Sequence, residues 1–145
     1  MFPYLALLLL AAATAPAYAT SSITASGSTG VNLTLDGGGS ATNHIVKVAN
    51  LTMDTDNILG FVASISSGSL TKPGGTPISF QVTLVDEGAA PPSLTAFTVP
   101  SGTRLTFGTI APGVVHKDLY ILYRAAPFQD PGAYSATINC DITDN

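Results

Sequence analysis

From residue 20 onward, apolar and polar side chains alternate one by one in short runs, and most of the runs stop at proline or glycine. Ile78 to Val85 is the clearest run, with Ile78, Phe80, Val82 and Leu84 on one side and Ser79, Gln81 and Thr83 on the other. Side chains alternate with period two along a strand and with period 3.6 along a helix, so such a run buries a single face only as β-structure. The stops include Pro73-Gly74-Gly75, Pro91-Pro92, Pro100-Ser101-Gly102, Pro112-Gly113 and Pro131-Gly132. Proline fixes φ and glycine accepts positive φ, so these pairs make turns. About eight short antiparallel strands at roughly 10-residue spacing predict an all-β chain folded as a sandwich or barrel.

The longest alternation runs from Ser22 to Asp36, with Ile23, Ala25, Val31, Leu33 and Leu35 on its apolar side, and ends at Gly37-Gly38-Gly39. Further strands are expected at His44–Asn50, Gly60–Ser66, Ile78–Val85, Leu94–Val99, Thr103–Thr109, Asp118–Arg124 and Ala133–Thr143. Asp118–Arg124 is apolar on both sides, with Leu119, Ile121 and Tyr123 on one and Tyr120 and Leu122 on the other. That makes it a central strand covered twice, or one whose second face serves association.

The first nineteen residues differ in kind. Leu5 to Ala13 is almost wholly apolar, and Ala17-Tyr18-Ala19 supplies small residues at a cleavage position. A run this short, ending in an A-x-A site, reads as a secretory signal peptide rather than a membrane span. The expected organisation is therefore a signal peptide over 1–19, an N-terminal strand segment over 20–36 and a β-sandwich domain over 37–145. The expected destination is the cell exterior, by way of the periplasm in a Gram-negative cell, with no membrane span in the mature chain.

Five basic against nine acidic residues give a net charge of −4, and no basic cluster is present. That balance argues against nucleic acid and anionic membrane as partners. Charged residues make up only 10% of the chain, and a hydroxyl-rich, charge-poor surface suits packing against copies of itself. The single cysteine, Cys140, rules out a disulfide within the chain. It falls in line with Ile138 and Ile142, which predicts a small core residue rather than a nucleophile.

No catalytic constellation is found, and the expectation is a protein that is not an enzyme. There is no G-x-S-x-G around a serine, and His44 and His116 stand apart from any second metal ligand at usable spacing. Asp54, Asp56 and Asn57 set oxygen atoms close enough to suggest calcium, but the distal Glu of an EF-hand is missing. They read as an inter-strand loop whose side chains bond local backbone. No metal or other cofactor is expected. Asn32-Leu33-Thr34 and Asn50-Leu51-Thr52 fit the glycosylation sequon, a short motif frequent by chance.

Leu119-Tyr120-Ile121-Leu122-Tyr123-Arg124-Ala125-Ala126-Pro127 followed by Asp130-Pro131-Gly132-Ala133-Tyr134-Ser135-Ala136-Thr137-Ile138 resembles the end of spore coat protein U domains. Those domains are similar in turn to subunits of chaperone–usher pili. The resemblance implies an incomplete immunoglobulin-like (pilin-like) sandwich, completed by a strand from the next subunit, with a periplasmic chaperone and an outer-membrane usher as partners. Ser22–Leu35 is then the donor strand. Two features depart from the pattern: the relatives' paired cysteines are absent, and Asp144 stands where pilins often carry a penultimate aromatic residue.

The function expected from the sequence is a structural subunit of an extracellular fibre, pilus or coat, joined to copies of itself by strand addition. Its interface would use Ile23, Ala25, Val31, Leu33 and Leu35, with Tyr120 and Leu122 as a second patch. The alternative is a monomeric secreted binding module with a complete sandwich, recognising glycan or protein through its loops.

Overall fold

The computed structural model describes residues 19–27, 35 and 41–145. The expected signal peptide falls on residues 1–19, of which only Ala19 is described, and Val31, Leu33 and Gly37-Gly38-Gly39 also lie outside the described residues.

The described chain is all-β. Its strands are β1 (Ser21–Gly27), β2 (Asn43–Thr55), β3 (Phe61–Ser66), β4 (Gly68–Leu70), β5 (Ile78–Asp86), β6 (Arg104–Gly108), β7 (Gly113–Arg124) and β8 (Cys140–Asp144). They form two antiparallel sheets, one in the order β1-β2-β7-β5-β4 and one in the order β6-β3-β8.

The inner faces of the two sheets share one core. Leu51 and Met53 of β2, Leu119, Ile121 and Tyr123 of β7, and Ile78, Phe80 and Val82 of β5 meet Phe61, Ala63 and Ile65 of β3. Leu105 and Phe107 of β6 and Cys140 and Ile142 of β8 pack on the same core half-buried. Lys117 closes one end, its ammonium 4.8 Å from the centre of the Phe107 ring and 2.5 Å from an Asp86 carboxylate oxygen.

The alternation that marks Ile78–Val85 places its side chains as expected, apart from Thr83, which is buried on the outer face. β2 runs five residues beyond Asn50. A β-bulge at Val48 inserts one residue, so Val46 faces the core before it and Leu51 and Met53 face the core after it. One extra residue shifts the parity of a strand by half a period. Gly27 lies opposite the bulge, where a Cβ would stand 2.5 Å from the Val48 carbonyl oxygen.

Two expected strands are corrected. Leu94–Val99 holds a 3₁₀ turn over Leu94–Ala96 instead of a strand. The segment crosses the outer face of β5, where Thr83 Oγ1 donates to the Ala96 carbonyl and Gln81 Nε2 to those of Phe97 and Val99. Ala133–Thr143 yields a strand only from Cys140. Its partner β3 ends at Ser66, whose N–H reaches the Asn139 carbonyl, so residues further upstream have little to pair with beyond a bridge between Thr71 and Ser135.

Candidate functional site

Three surfaces could carry function: the free strand edges, a cleft on the outer face of the larger sheet, and an apolar tip at one end.

In an antiparallel pair the N–H and C=O of one residue point to the same neighbour, and successive residues alternate between sides. Asn145 donates its N–H to the Gly60 carbonyl, and the Asn139 carbonyl accepts from Ser66, so the odd residues of β8 serve β3. The backbone groups of Cys140, Ile142 and Asp144 therefore point to the other edge, which is free among the described residues. Near its end β8 approaches β1: Ser21 Oγ and Thr55 Oγ1 both donate to the Asp144 carboxylate, the latter at 3.0 Å.

β1 lies on the edge of β2 in register from Ser21↔Thr55 to Gly27↔Ala49. Of the expected interface residues, Ile23 packs half-buried on the core of its own chain, and Leu35 also packs there. Ala25 shares the face of Ile23 but is exposed. Val31 and Leu33 lie outside the described residues.

Tyr120 needs a correction as an interface residue. β7 is the central strand of its sheet, and Tyr120 is 6% exposed on the face crossed by residues 87–99. This strand is covered twice within one chain. Beside Tyr120, Asp118 is buried and accepts from Lys47 Nζ at 2.8 Å and from the Gly88 N–H at 3.1 Å. The Lys47 hydrogen bond holds its carboxyl below the usual carboxylate range despite the opposing effect of burial.

Leu122, the other residue of that patch, is half-buried and lines a shallow cleft of about 430 Å³ with Asn43, Ser79, Ser101 and Arg124. Arg124 is exposed, and its side chain has no hydrogen-bond, ion-pair or ring partner among the described residues. The other four cations are engaged: Lys47 with Asp118, Lys117 with Asp86, Arg104 with Asp141, and Lys72 with the Pro131 carbonyl and the Tyr134 ring.

The apolar tip lies at the opposite end. Asn145 Nδ2 donates to the Leu59 and Thr109 carbonyls, both at 2.8 Å, tying the β2–β3 loop to the β6–β7 loop. Gly60 allows that approach, with φ +77° and a virtual Cβ 2.2 Å from the Thr109 oxygen. The loops leave Ile58 79% and Ile110 90% exposed, with Leu59 and Val114 also out in solvent. This patch has no sequence signature, because it depends on which loops meet.

The suspected calcium residues belong to the same end. Asp54 is an exposed strand residue, Asp56 accepts the Thr20 N–H at 2.6 Å, and Asn57 Oδ1 accepts the Leu59 N–H at 3.0 Å. Among the described residues no three His, Cys, Asp or Glu side chains are grouped to hold a metal. His44 stacks on Tyr123 at 5.2 Å and His116 Nδ1 lies 3.1 Å from Thr52 Oγ1. Cys140 is half-buried on the core side of β8, and burial, helped by Asp141, pushes its thiol pKa up.

No protein-family model, curated protein or solved structure matches this chain.

Proposed function

We propose that this chain is a non-enzymatic structural subunit of an extracellular fibre, pilus or surface coat, built on an immunoglobulin-like sandwich that takes an added strand along β8. The free edge of β8 carries the reading. In immunoglobulin-type sandwiches strands A, B, E and D make one sheet and C, F and G the other. The order β1-β2-β7-β5 and the pairing of β3 with β8 fit that scheme, with β8 in the place of F and its open edge in the place of G. Tyr134 adds support: its hydroxyl donates to the Asp130 carbonyl at 2.9 Å on the way from β7 to β8, as the tyrosine at the E–F corner of such sandwiches does.

The donor in this reading is Ser22–Leu35 of another copy, as the likeness to spore coat protein U domains and pilins implies, with export through a chaperone and usher. The part of that segment that is β1 contributes few buried side chains where it lies on β2. Main-chain hydrogen bonds would supply most of the affinity for a partner's β8, and Ile23 the side-chain contact.

Two variants at one position test this. Asp144→Ala and Asp144→Pro both remove the carboxylate, but only proline removes the N–H aimed at the free edge. SDS-resistant polymers, visible by negative stain, are expected from the wild type and from Asp144→Ala and not from Asp144→Pro. Polymers of equal length from both variants would refute strand addition at β8.

A further inference from the structure

The apolar tip and the Arg124 cleft lie at opposite ends of the molecule. β2 ends at Thr55 beside the tip and begins at Asn43 in the cleft, and thirteen residues at about 3.3 Å each separate them by roughly 40 Å. Their chemistry is complementary. The tip presents Ile58, Leu59 and Ile110 with Asp54, Asp56 and Asp144 close by, none of them ion-paired to a lysine or arginine among the described residues. An α-ammonium at Thr20 after cleavage would offset Asp56 and leave the other two. The cleft presents the apolar side of Leu122 and the guanidinium of Arg124, which has no partner among the described residues.

We propose that the tip of one copy seats in the Arg124 cleft of the next. The aliphatic side chains cover Leu122, and the carboxylates around them face Arg124. Joining two different patches makes the contact heterologous, so it propagates into a filament unless the rotation closes a ring. This contact uses neither the edge of β8 nor β1 and does not depend on strand addition. A tip-to-tip dimer would bring like charges together, and an anionic membrane would meet the same carboxylates; the charge pattern disfavours both.

Complementation of half-dead variants tests the proposal. Ile58→Ser with Ile110→Ser removes the tip, and Arg124→Glu disables the cleft; all three side chains are exposed, so unchanged circular dichroism should confirm folding. With Asp144→Pro in every protein, so that no strand adds at β8 and Asp54 and Asp56 remain at the tip, sedimentation at low salt should show concentration-dependent oligomers for Thr20–Asn145, lost at high salt, and monomers once the tip or the cleft substitutions are added. Their equimolar mixture should give dimers and nothing larger, because it contains one live tip and one live cleft. A mixture that stays monomeric, or either variant assembling like the Asp144→Pro parent, overturns the proposal. Polymers sensitive to Asp144→Pro but indifferent to tip and cleft would leave strand addition standing and remove this contact.

Discussion

β7 and β8 are both strands of one sandwich, yet they are built for opposite conditions. β7 pairs on both sides, with β2 and β5, and from Asp118 to Tyr123 it buries every side chain but Leu122. Among the described residues β8 pairs on one side only, and its inward residues Cys140 and Ile142 are half-buried. The first strand is where the fold's stability resides. The second is held by one ladder and part of a core, so it opens more easily and offers an edge.

The largest expected effect tests that contrast directly. Ile121→Ala removes a buried side chain between the sheets and should cost about 3 kcal/mol, within the usual range for Ile→Ala. Ile142→Ala, on the same core but half-buried, should cost about 1–2 kcal/mol, because less apolar area is lost. Equal losses in urea titration would mean that β8 is as much a part of the core as β7.

A smaller effect is expected at Asp118, which ties the covering segment to β7 through Gly88. Its folded pKa is depressed, so its contribution is complete above the ordinary carboxylate value and is lost as pH falls through the lower folded value. Stability measured against pH should therefore drop in strong acid, and Asp118→Asn should flatten that limb. An unchanged acid limb would show that the Lys47–Asp118 pair contributes nothing to folding. At neutral pH the segment from Gly88 to Val99 should exchange its amide protons faster in Asp118→Asn than in wild type.

The same contrast explains what could be read from the sequence. Ile78–Val85 and Gly60–Ser66 were legible because each buries one face along its whole length. β2 was half legible: Val46 and Val48 mark its start, but the bulge changes parity, and Leu51 and Met53 then look like a separate run. Leu94–Val99 carries strand-prone residues, yet its carbonyls are taken by Gln81 and Thr83 side chains, a tertiary arrangement that no local pattern encodes. The alternation through Ala133–Thr143 puts Tyr134, Ala136, Ile138, Cys140 and Ile142 on one face; all but Ala136, which is exposed, pack on the core, and the alternation overstates the ladder because a strand can be no longer than its partner. The double-sided β7 was legible as a choice between two explanations. Only the crossing segment decides that Tyr120 is covered within the chain while Leu122 opens to a cleft. The tip and cleft depend on loops brought together from distant positions, and periodicity carries no information about that.

The smallest effect is the most discriminating, because it asks how β8 opens. Cys140 lies on the core side of β8, and its thiol is held protonated above its ordinary value, first by burial and then by Asp141. The thiolate is the reactive form, so alkylation at neutral pH should be slow and should quicken as pH rises. Cys140→Ala should cost about 1 kcal/mol, since the site is only half-buried. The informative measurement is the labelling rate in the Ile121→Ala background. If β8 frays on its own, the reagent reaches Cys140 without disturbing β7, and the rate should change little. If Cys140 is exposed only when the whole sandwich unfolds, a loss of about 3 kcal/mol should speed labelling roughly a hundredfold, since each 1.4 kcal/mol is a factor of ten. Local fraying is expected, because a strand with one ladder and a half-buried face has far less to lose than the strand at the centre of the larger sheet. A hundredfold acceleration would make β7 and β8 one cooperative unit, and strand addition at β8 would then have to occur on an edge that does not open.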